Sequence, residues 1–285
     1  MKTVAILIPT YNRLTSLAMT LSGVALQEIT NFHLVVADQS AVPADESRTI
    51  KALFRLIEAR GSQVDYFHRP PVHGIAEQRD FLLKQAKSDY CLYLDDDVLM
   101  EPWVLERMVS ILKREKCAFI GAFGAGLSFR NQVRPDQQSI EFWDGTVHPE
   151  AVEPNSTAWE RWNIHRAANL YHIAERLPPG EFRLYKVAWV GGCVLYDRRK
   201  LIDVGGYSFW EQLPRFHSGE DVLVQNILMR RWGGCAMIPS GTYFAECETT
   251  VLNEAGSIDG HALELLPGMI ARYASETAES TTGNV

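Results

Sequence analysis

Through the first half of the chain, short apolar runs alternate with stretches whose apolar residues recur every three or four positions. Runs of four to six residues rich in Val, Ile, Leu and aromatics suit buried strands, and the three-to-four spacing suits helices that lay one face on a sheet. The runs predict strands at Val4 to Ile8, His33 to Asp38, Val64 to His68, Tyr90 to Leu94 and Ala118 to Phe123, the third being the least apolar. Between them, residues 14–27, 46–60, 74–87 and 101–116 carry the helical spacing. Strand and helix in alternation give an α/β class: a doubly wound, mostly parallel sheet covered on both faces.

From about Arg130 to Leu177 the pattern gives way to a polar, Trp-bearing stretch that reads as an insertion ending in a helix. Insertions of this kind often carry specificity. A strand over Lys186 to Asp197, a turn at Val204 to Gly206, a helix over Asp221 to Trp232 and a strand at Cys235 to Pro239 then close the core. This divides the chain into a domain over 1–240 and a C-terminal extension over 241–285, whose last dozen or so residues are polar enough to be expected disordered.

Composition narrows the function. The 285 residues are 46% apolar, enough for a full core, and the net charge of −7 argues against a grip on nucleic acid, which needs clustered Lys and Arg. The five cysteines are widely spaced, form no CxxC pair and mostly sit in apolar runs, so they read as reduced core residues and the cytoplasm is the expected location. No stretch approaches the roughly 20 apolar residues of a spanning helix, which leaves only peripheral membrane contact open.

Candidate chemistry concentrates where strands end. Asp95, Asp96 and Asp97 follow the apolar run Tyr90 to Leu94, at the carboxyl end of a strand, where open α/β sheets place their ligand crevice. Adjacent carboxylates repel unless a cation or hydrogen-bond donors compensate, and hard oxygen ligands suit Mg²⁺ or Mn²⁺. A solvated turn capping the next helix is the alternative. Thr10, Tyr11, Asn12 and Arg13 bring hydroxyl, aromatic and amide groups to another strand end, as a nucleotide crevice or as an ordinary turn. Asp38 ends a strand and can instead close a turn with Ser40. Arg79 can balance a diphosphate or pair with Glu77 or Asp80. Gly191 and Gly192 permit close approach of a ligand, or mark a bulge. Glu220 and Asp221 open a helix, as caps or as acid–base groups.

Four separated motifs, LIPTYNR, VVADQS, the segment from Gly74 to Asp97, and the pair formed by WVGGCVLYD and SGED, together resemble the family 2 glycosyltransferases, inverting enzymes of the GT-A fold, from about Val4 to Pro239. The resemblance implies transfer of a sugar from a UDP, GDP or dTDP sugar to a hydroxyl acceptor on a glycan, a lipid-linked glycan or a small molecule. It implies nucleotide binding by Pro9, Thr10, Tyr11, Arg13, Asp38, Arg79, Asp95 and Asp96, with Asp38 accepting from the base. By the same resemblance Asp97, helped by Asp95, holds a divalent metal, Mn²⁺ or Mg²⁺, and Asp221 is the catalytic base with Glu220 beside it. Gly191 and Gly192 would line the acceptor side, joined by Trp189 and Trp210, which flank the motifs; Trp143 and Trp162 are weaker aromatic candidates. Two departures stand out. Asp80 occupies a position where Asn is usual, and the stretch TYFAECETT lacks a late histidine, leaving Glu246, Glu248, His217 or His261 as substitutes. A sugar nucleotidyltransferase fits less well because LIPTYNR has no glycine, and a non-catalytic glycan-binding module leaves the Glu-Asp pair without a task.

Overall fold

The structure is a computed structural model and describes residues 4–253 and 255–273. The polar tail expected to be disordered lies outside the described residues. In chain order the first half comprises β1 (Val4–Thr10), α1 (Leu14–Ala25), β2 (His33–Asp38), α2 (Arg48–Ala59), β3 (Gln63–His68), α3 (Ile75–Gln85), β4 (Tyr90–Leu94), β5 (Val98–Met100), α4 (Val104–Glu115) and β6 (Phe119–Gly121). The second half adds α5 (Asn169–Ala174), β7 (Arg183–Tyr185), β8 (Cys193–Asp197), α6 (Arg198–Asp203), β9 (His217–Ser218), α7 (Glu220–Trp232), β10 (Gly234–Ile238), β11 (Thr242–Phe244), β12 (Gly260–His261) and α8 (Leu266–Tyr273).

Eight strands form the main sheet in the order β3-β2-β1-β4-β8-β6-β10-β7. Neighbours pair in parallel except around β8, antiparallel to both β4 and β6, and at β7, antiparallel to β10. The sheet is apolar on both faces because alternate residues point opposite ways. On β1, Ala5 and Leu7 join one core cluster and Val4, Ile6 and Ile8 the other. Helices α1 and α2 close the second face through Leu17, Leu21 and Val24 and through Ile50, Phe54 and Ile57, at the spacing their sequences display. β3, the least apolar of the early runs, is one of the two edge strands, where partial exposure costs least.

Residues 186–192 do not continue β8, contrary to the expected single strand from Lys186; the strand begins at Cys193. Gly192 has φ +77°, a backbone state in which a strand cannot run, and its carbonyl accepts from Asp95 N–H at 2.8 Å. The expected strand at Ala118 to Phe123 is likewise shorter, Phe119–Gly121. The polar insertion holds a 3₁₀ stretch, Thr157–His165, and ends in α5, as its pattern suggests. Beyond residue 240, β11 pairs with β5 and α8 packs on α7.

A Cβ on Gly192 would lie 2.9 Å from the Phe244 ring, whereas one on Gly145, at φ +93°, would meet nothing within 4 Å. Gly145→Ala should therefore cost about 1 kcal/mol from backbone strain alone, and Gly192→Ala about 2 kcal/mol or more. Urea unfolding checks this, and equal losses would mean the Phe244 contact relaxes freely.

Candidate active site

The carboxyl ends of β1 and β4 lie side by side because the two strands pair in parallel. Thr10 is thereby set against the acidic triplet, its hydroxyl donating to Asp96 Oδ2 at 2.6 Å. Arg13 Nη1 bridges Asp96 Oδ1 at 3.1 Å and Asp97 Oδ2 at 3.0 Å, while its Nη2 donates to the Glu248 carbonyl. Burial raises the Asp96 carboxyl to about 6, with Thr10 and Arg13 acting the other way. Burial, and then the charge of Asp95, raise Asp97 as well.

Arg79 extends from α3 and joins the two acidic motifs. Its Nη2 lies 3.2 Å from Asp95 Oδ1 and its Nε 3.0 Å from Glu220 Oε1, an ion pair without hydrogen-bond alignment. The guanidinium lies near two tyrosine rings that pack edge-on against each other, 5.4 Å from the Tyr93 centroid and 5.9 Å from that of Tyr207. Burial works against this cation, but Asp95 and Glu220 outweigh it and its pKa stands well above the ordinary value. The neighbours offered by sequence are taken: Glu77 pairs with Arg69 at 2.7 Å and Asp80 with Lys84 at 2.6 Å.

Glu220 is buried and Asp221 half-buried at the first turn of α7. Burial raises Glu220 against the pull of Arg79. Burial, reinforced by the charge of Glu220, raises Asp221 to about 7. These groups share one cleft of about 530 Å³ with Pro9, Thr10, Tyr11, Arg13 and Trp189. A Cβ on Gly191 would sit 3.5 Å from Asp221 Oδ2, so the missing side chain leaves open space beside that carboxylate.

Several sequence candidates lie elsewhere. Asp38 is 0% exposed and fully engaged: it accepts from Ser40 N–H at 2.7 Å, Ala44 N–H at 2.8 Å and the Tyr66 hydroxyl at 2.6 Å. It closes a turn, as the D-x-S pattern allows, and Gln39 lines the cleft in its stead. Gly192 packs on Phe244 and Val98, and Trp210 packs half-buried on the core; neither lines the cleft. Trp143 is buried against His148, and Trp162 lies beneath Arg166. His217 donates from Nδ1 to Pro214 carbonyl at 2.6 Å and accepts from Ala76 N–H at 3.2 Å, so both nitrogens are used. His261 accepts from Leu263 N–H and lies against Gly219. Glu246 lies against Gly126. Four cysteines are buried and free as expected, but Cys247 is exposed and lines the cleft. Gln39, Gln78, Arg215 and Phe216 also line the cleft: Gln39 lies in VVADQS and Gln78 beside Arg79, where a charged neighbour is the stronger signal, and Arg215 and Phe216 lie outside the four motifs.

Among the described residues no group of three or more His, Cys, Asp or Glu could hold a metal by itself. The chemistry nevertheless suits one. Mg²⁺-type ions are commonly bound by one or two carboxylates with substrate phosphates completing the shell, and Asp97 is raised by burial and then by the charge of Asp95, so a cation held by the two would offset that charge.

This sheet order, with acidic strand-end groups facing a carboxylate pair across one cleft, defines a GT-A nucleotide-sugar transferase. The chain belongs to glycosyl transferase family 2, whose family profile matches residues 5–191, and it is a glycosyltransferase. Over 117 residues it is 26% identical to the UDP-Glc:alpha-D-GlcNAc-diphosphoundecaprenol beta-1,3-glucosyltransferase WfgD of Escherichia coli, covering 41% of this chain and 44% of that one. In fold it is similar to S. aureus TarS 1–349 in complex with UDP-GlcNAc, with TM-score 0.55 and 18% identity over 87% of this chain and 59% of that one. The UDP complex of the same TarS fragment gives TM-score 0.53 and 18% identity, covering 85% and 60%. The chain thus spans less than two thirds of the length of each of these proteins. Among the described residues no helix is long and apolar enough to cross a membrane.

Asp221 and Glu220 bind protons more tightly folded than unfolded. Their contribution to stability is therefore fully present below pH 4 and is lost as pH rises, for Asp221 through about 7. Asp221→Asn removes one of these titrations. Between pH 5 and pH 8 the variant should lose less unfolding free energy than the parent chain, by on the order of 1 kcal/mol once solvent around the half-open carboxylate is allowed for. Denaturant titrations at both pH values measure it, and parallel losses would show that Asp221 titrates normally.

Proposed function

We propose that the chain moves a sugar from a nucleotide-diphosphate donor, of UDP, GDP or dTDP type, to an acceptor hydroxyl with inversion at the anomeric carbon. The observation that carries this reading is Asp221: a carboxylate raised to about 7, half-open on the cleft, beside the space left by Gly191. A general base works best when its pKa lies near the operating pH. Asp221 takes the proton from the acceptor hydroxyl as that oxygen attacks the anomeric carbon, and the bond to the diphosphate oxygen breaks on the opposite side. Tyr11 and Arg13 bind the nucleotide, and Arg79 holds Asp95 and Glu220 in register. Asp97 and Asp95 would hold a divalent ion, Mn²⁺ or Mg²⁺, which supplies charge neutralisation at the leaving diphosphate.

The relative named above acts on a diphosphoundecaprenol acceptor, which supports a glycan or lipid-linked acceptor here. We further propose a catalytic unit over 1–240 with residues 241–285 as an extension, acting in the cytoplasm.

Incubation with UDP-glucose, UDP-N-acetylglucosamine, GDP-mannose and a dTDP sugar, with Mn²⁺ or EDTA, tests the proposal through release of nucleoside diphosphate. Release should need the metal and fall by about 10² to 10⁴ in Asp221→Asn. Tight donor binding with no release, unchanged in that variant, would mark a binding module; pyrophosphate-dependent exchange would mark a nucleotidyltransferase. Separately, Gly191→Ala places a methyl beside Asp221 at ordinary contact distance, 3.5 Å from Oδ2. It should raise acceptor KM roughly tenfold with donor KM unchanged, as expected for filling a space that only the acceptor uses.

A further inference from the structure

The wall beside Asp221 is not part of the sheet. Residues 189–191 lie before β8, so the ladder leaves Val190 without a strand partner. The pairing is supplied by one side chain. Val190 N–H donates to Gln225 Oε1 at 2.8 Å, and Gln225 Nε2 donates to the Val190 carbonyl at 2.7 Å and to the Tyr196 hydroxyl of β8 at 3.0 Å. Gln225 is 0% exposed and lies four residues after Asp221 on α7, so both project from one helix face. From the other direction Val190 fills the hollow of Gly121 on β6, where a Cβ would come within 2.3 Å of its methyl.

The flanking residues show what this fixes. A Cβ on Gly191 would stand 3.5 Å from Asp221 Oδ2 and 3.8 Å from the Trp189 ring, so the glycine leaves a space with the carboxylate on one side and the ring on the other. We propose that Gln225 is a positioning residue: its amide clamps Val190 to the helix that carries Asp221, setting the separation between the proposed base and the Trp189–Gly191 wall against which the acceptor rests. Hydrogen bonds to the N–H and the C=O of Val190 hold the two peptide units on either side of its Cα, and so resist both translation and rotation of the backbone there, which a single contact does not. The inference rests on the transferase reading of the cleft for its functional half and on geometry alone for its structural half.

The full chain and its Gln225→Leu and Gln225→Glu variants test it in two measurements. Leucine keeps the volume and loses both bonds. A buried glutamic acid is held protonated and offers one O–H donor and one carbonyl acceptor, the pair Val190 needs. Hydrogen exchange should rise roughly tenfold at the Val190 amide in Gln225→Leu and stay near the parent rate in Gln225→Glu and throughout β1 and β4. With UDP-glucose as donor and either water or α-D-GlcNAc-diphosphoundecaprenol in detergent as acceptor, Gln225→Leu should hydrolyse donor within about twofold of the parent while acceptor KM rises at least tenfold; Gln225→Glu should restore it. Hydrolysis and transfer that fall together, with no restoration by Gln225→Glu, would reduce Gln225 to a fold residue. Absence of turnover by the parent chain with any donor would instead defeat the transferase reading, and unchanged exchange at Val190 in Gln225→Leu would then still overturn the clamp.

Discussion

Arg79 is the group on which the cleft depends. Among the described residues five carboxylates line this one cavity: Asp95, Asp96, Asp97, Glu220 and Asp221. Burial penalises the charged forms of Asp96, Asp97, Glu220 and Asp221, and the proximity of other carboxylates penalises them again. A buried ion pair gains little over apolar packing, but removing one partner from such a pair typically costs about 3–5 kcal/mol because the other charge remains buried. Arg79 is that partner for two carboxylates at once, one at the end of β4 and one at the start of α7. It lies near the paired rings of Tyr93 and Tyr207, and the Tyr93 hydroxyl donates to the Arg79 carbonyl at 2.6 Å. The cation therefore ties the end of β4 to the start of α7 and compensates a carboxylate on each.

The chemistry of Asp221 follows from competition around it. A helix N-terminus favours a carboxylate by about 0.3–1 kcal/mol near the surface, which would lower its pKa. Desolvation and the charge of Glu220 act in the opposite sense and win, so the carboxyl is raised to about 7. Glu220, one residue earlier, has Arg79 directly on it and Asp221 does not. Adjacent acids on one helix turn are thus set apart by one guanidinium: Glu220 is ion-paired, and Asp221 is not, which is what its proposed role as the base requires.

What the sequence displayed and what it hid follow from the range of the interactions involved. β1, β2 and β4 and the helices packed on them are visible because a strand buried on both faces and an amphipathic helix each leave a local periodic trace. The acidic triplet is visible because strand ends in such sheets form crevices. Asp38 shows the limit: its residue type suits a base contact, but the competing local hydrogen bonds to Ser40 and Ala44, strengthened by Tyr66 from the next strand, consume it. Gly192 was legible as a special backbone position but not as the end of a non-strand segment, because that depends on Phe244, 52 residues later. A buried glutamine such as Gln225 leaves no periodic mark, and its partner Val190 reads as an ordinary strand residue.

Charge balance also bears on the donor side. Three arginines line the cleft against its five carboxylates, and two of the three, Arg13 and Arg79, are already bound to acids. A nucleotide diphosphate adds further negative charge to a site that is net acidic whenever Asp96 and Asp221 are ionised. The raised values of about 6 and about 7 on those two groups come first from burial, with the charges of neighbouring carboxylates adding to it. A diphosphate entering near Arg13 competes with Asp96 and Asp97 for the guanidinium, so any share it gains leaves those carboxylates less compensated. A divalent ion, which on the proposed reading Asp95 and Asp97 would hold, would supply positive charge there without protonation of the acids. The proposed metal dependence thus follows from the same shortage of positive charge that makes Arg79 indispensable.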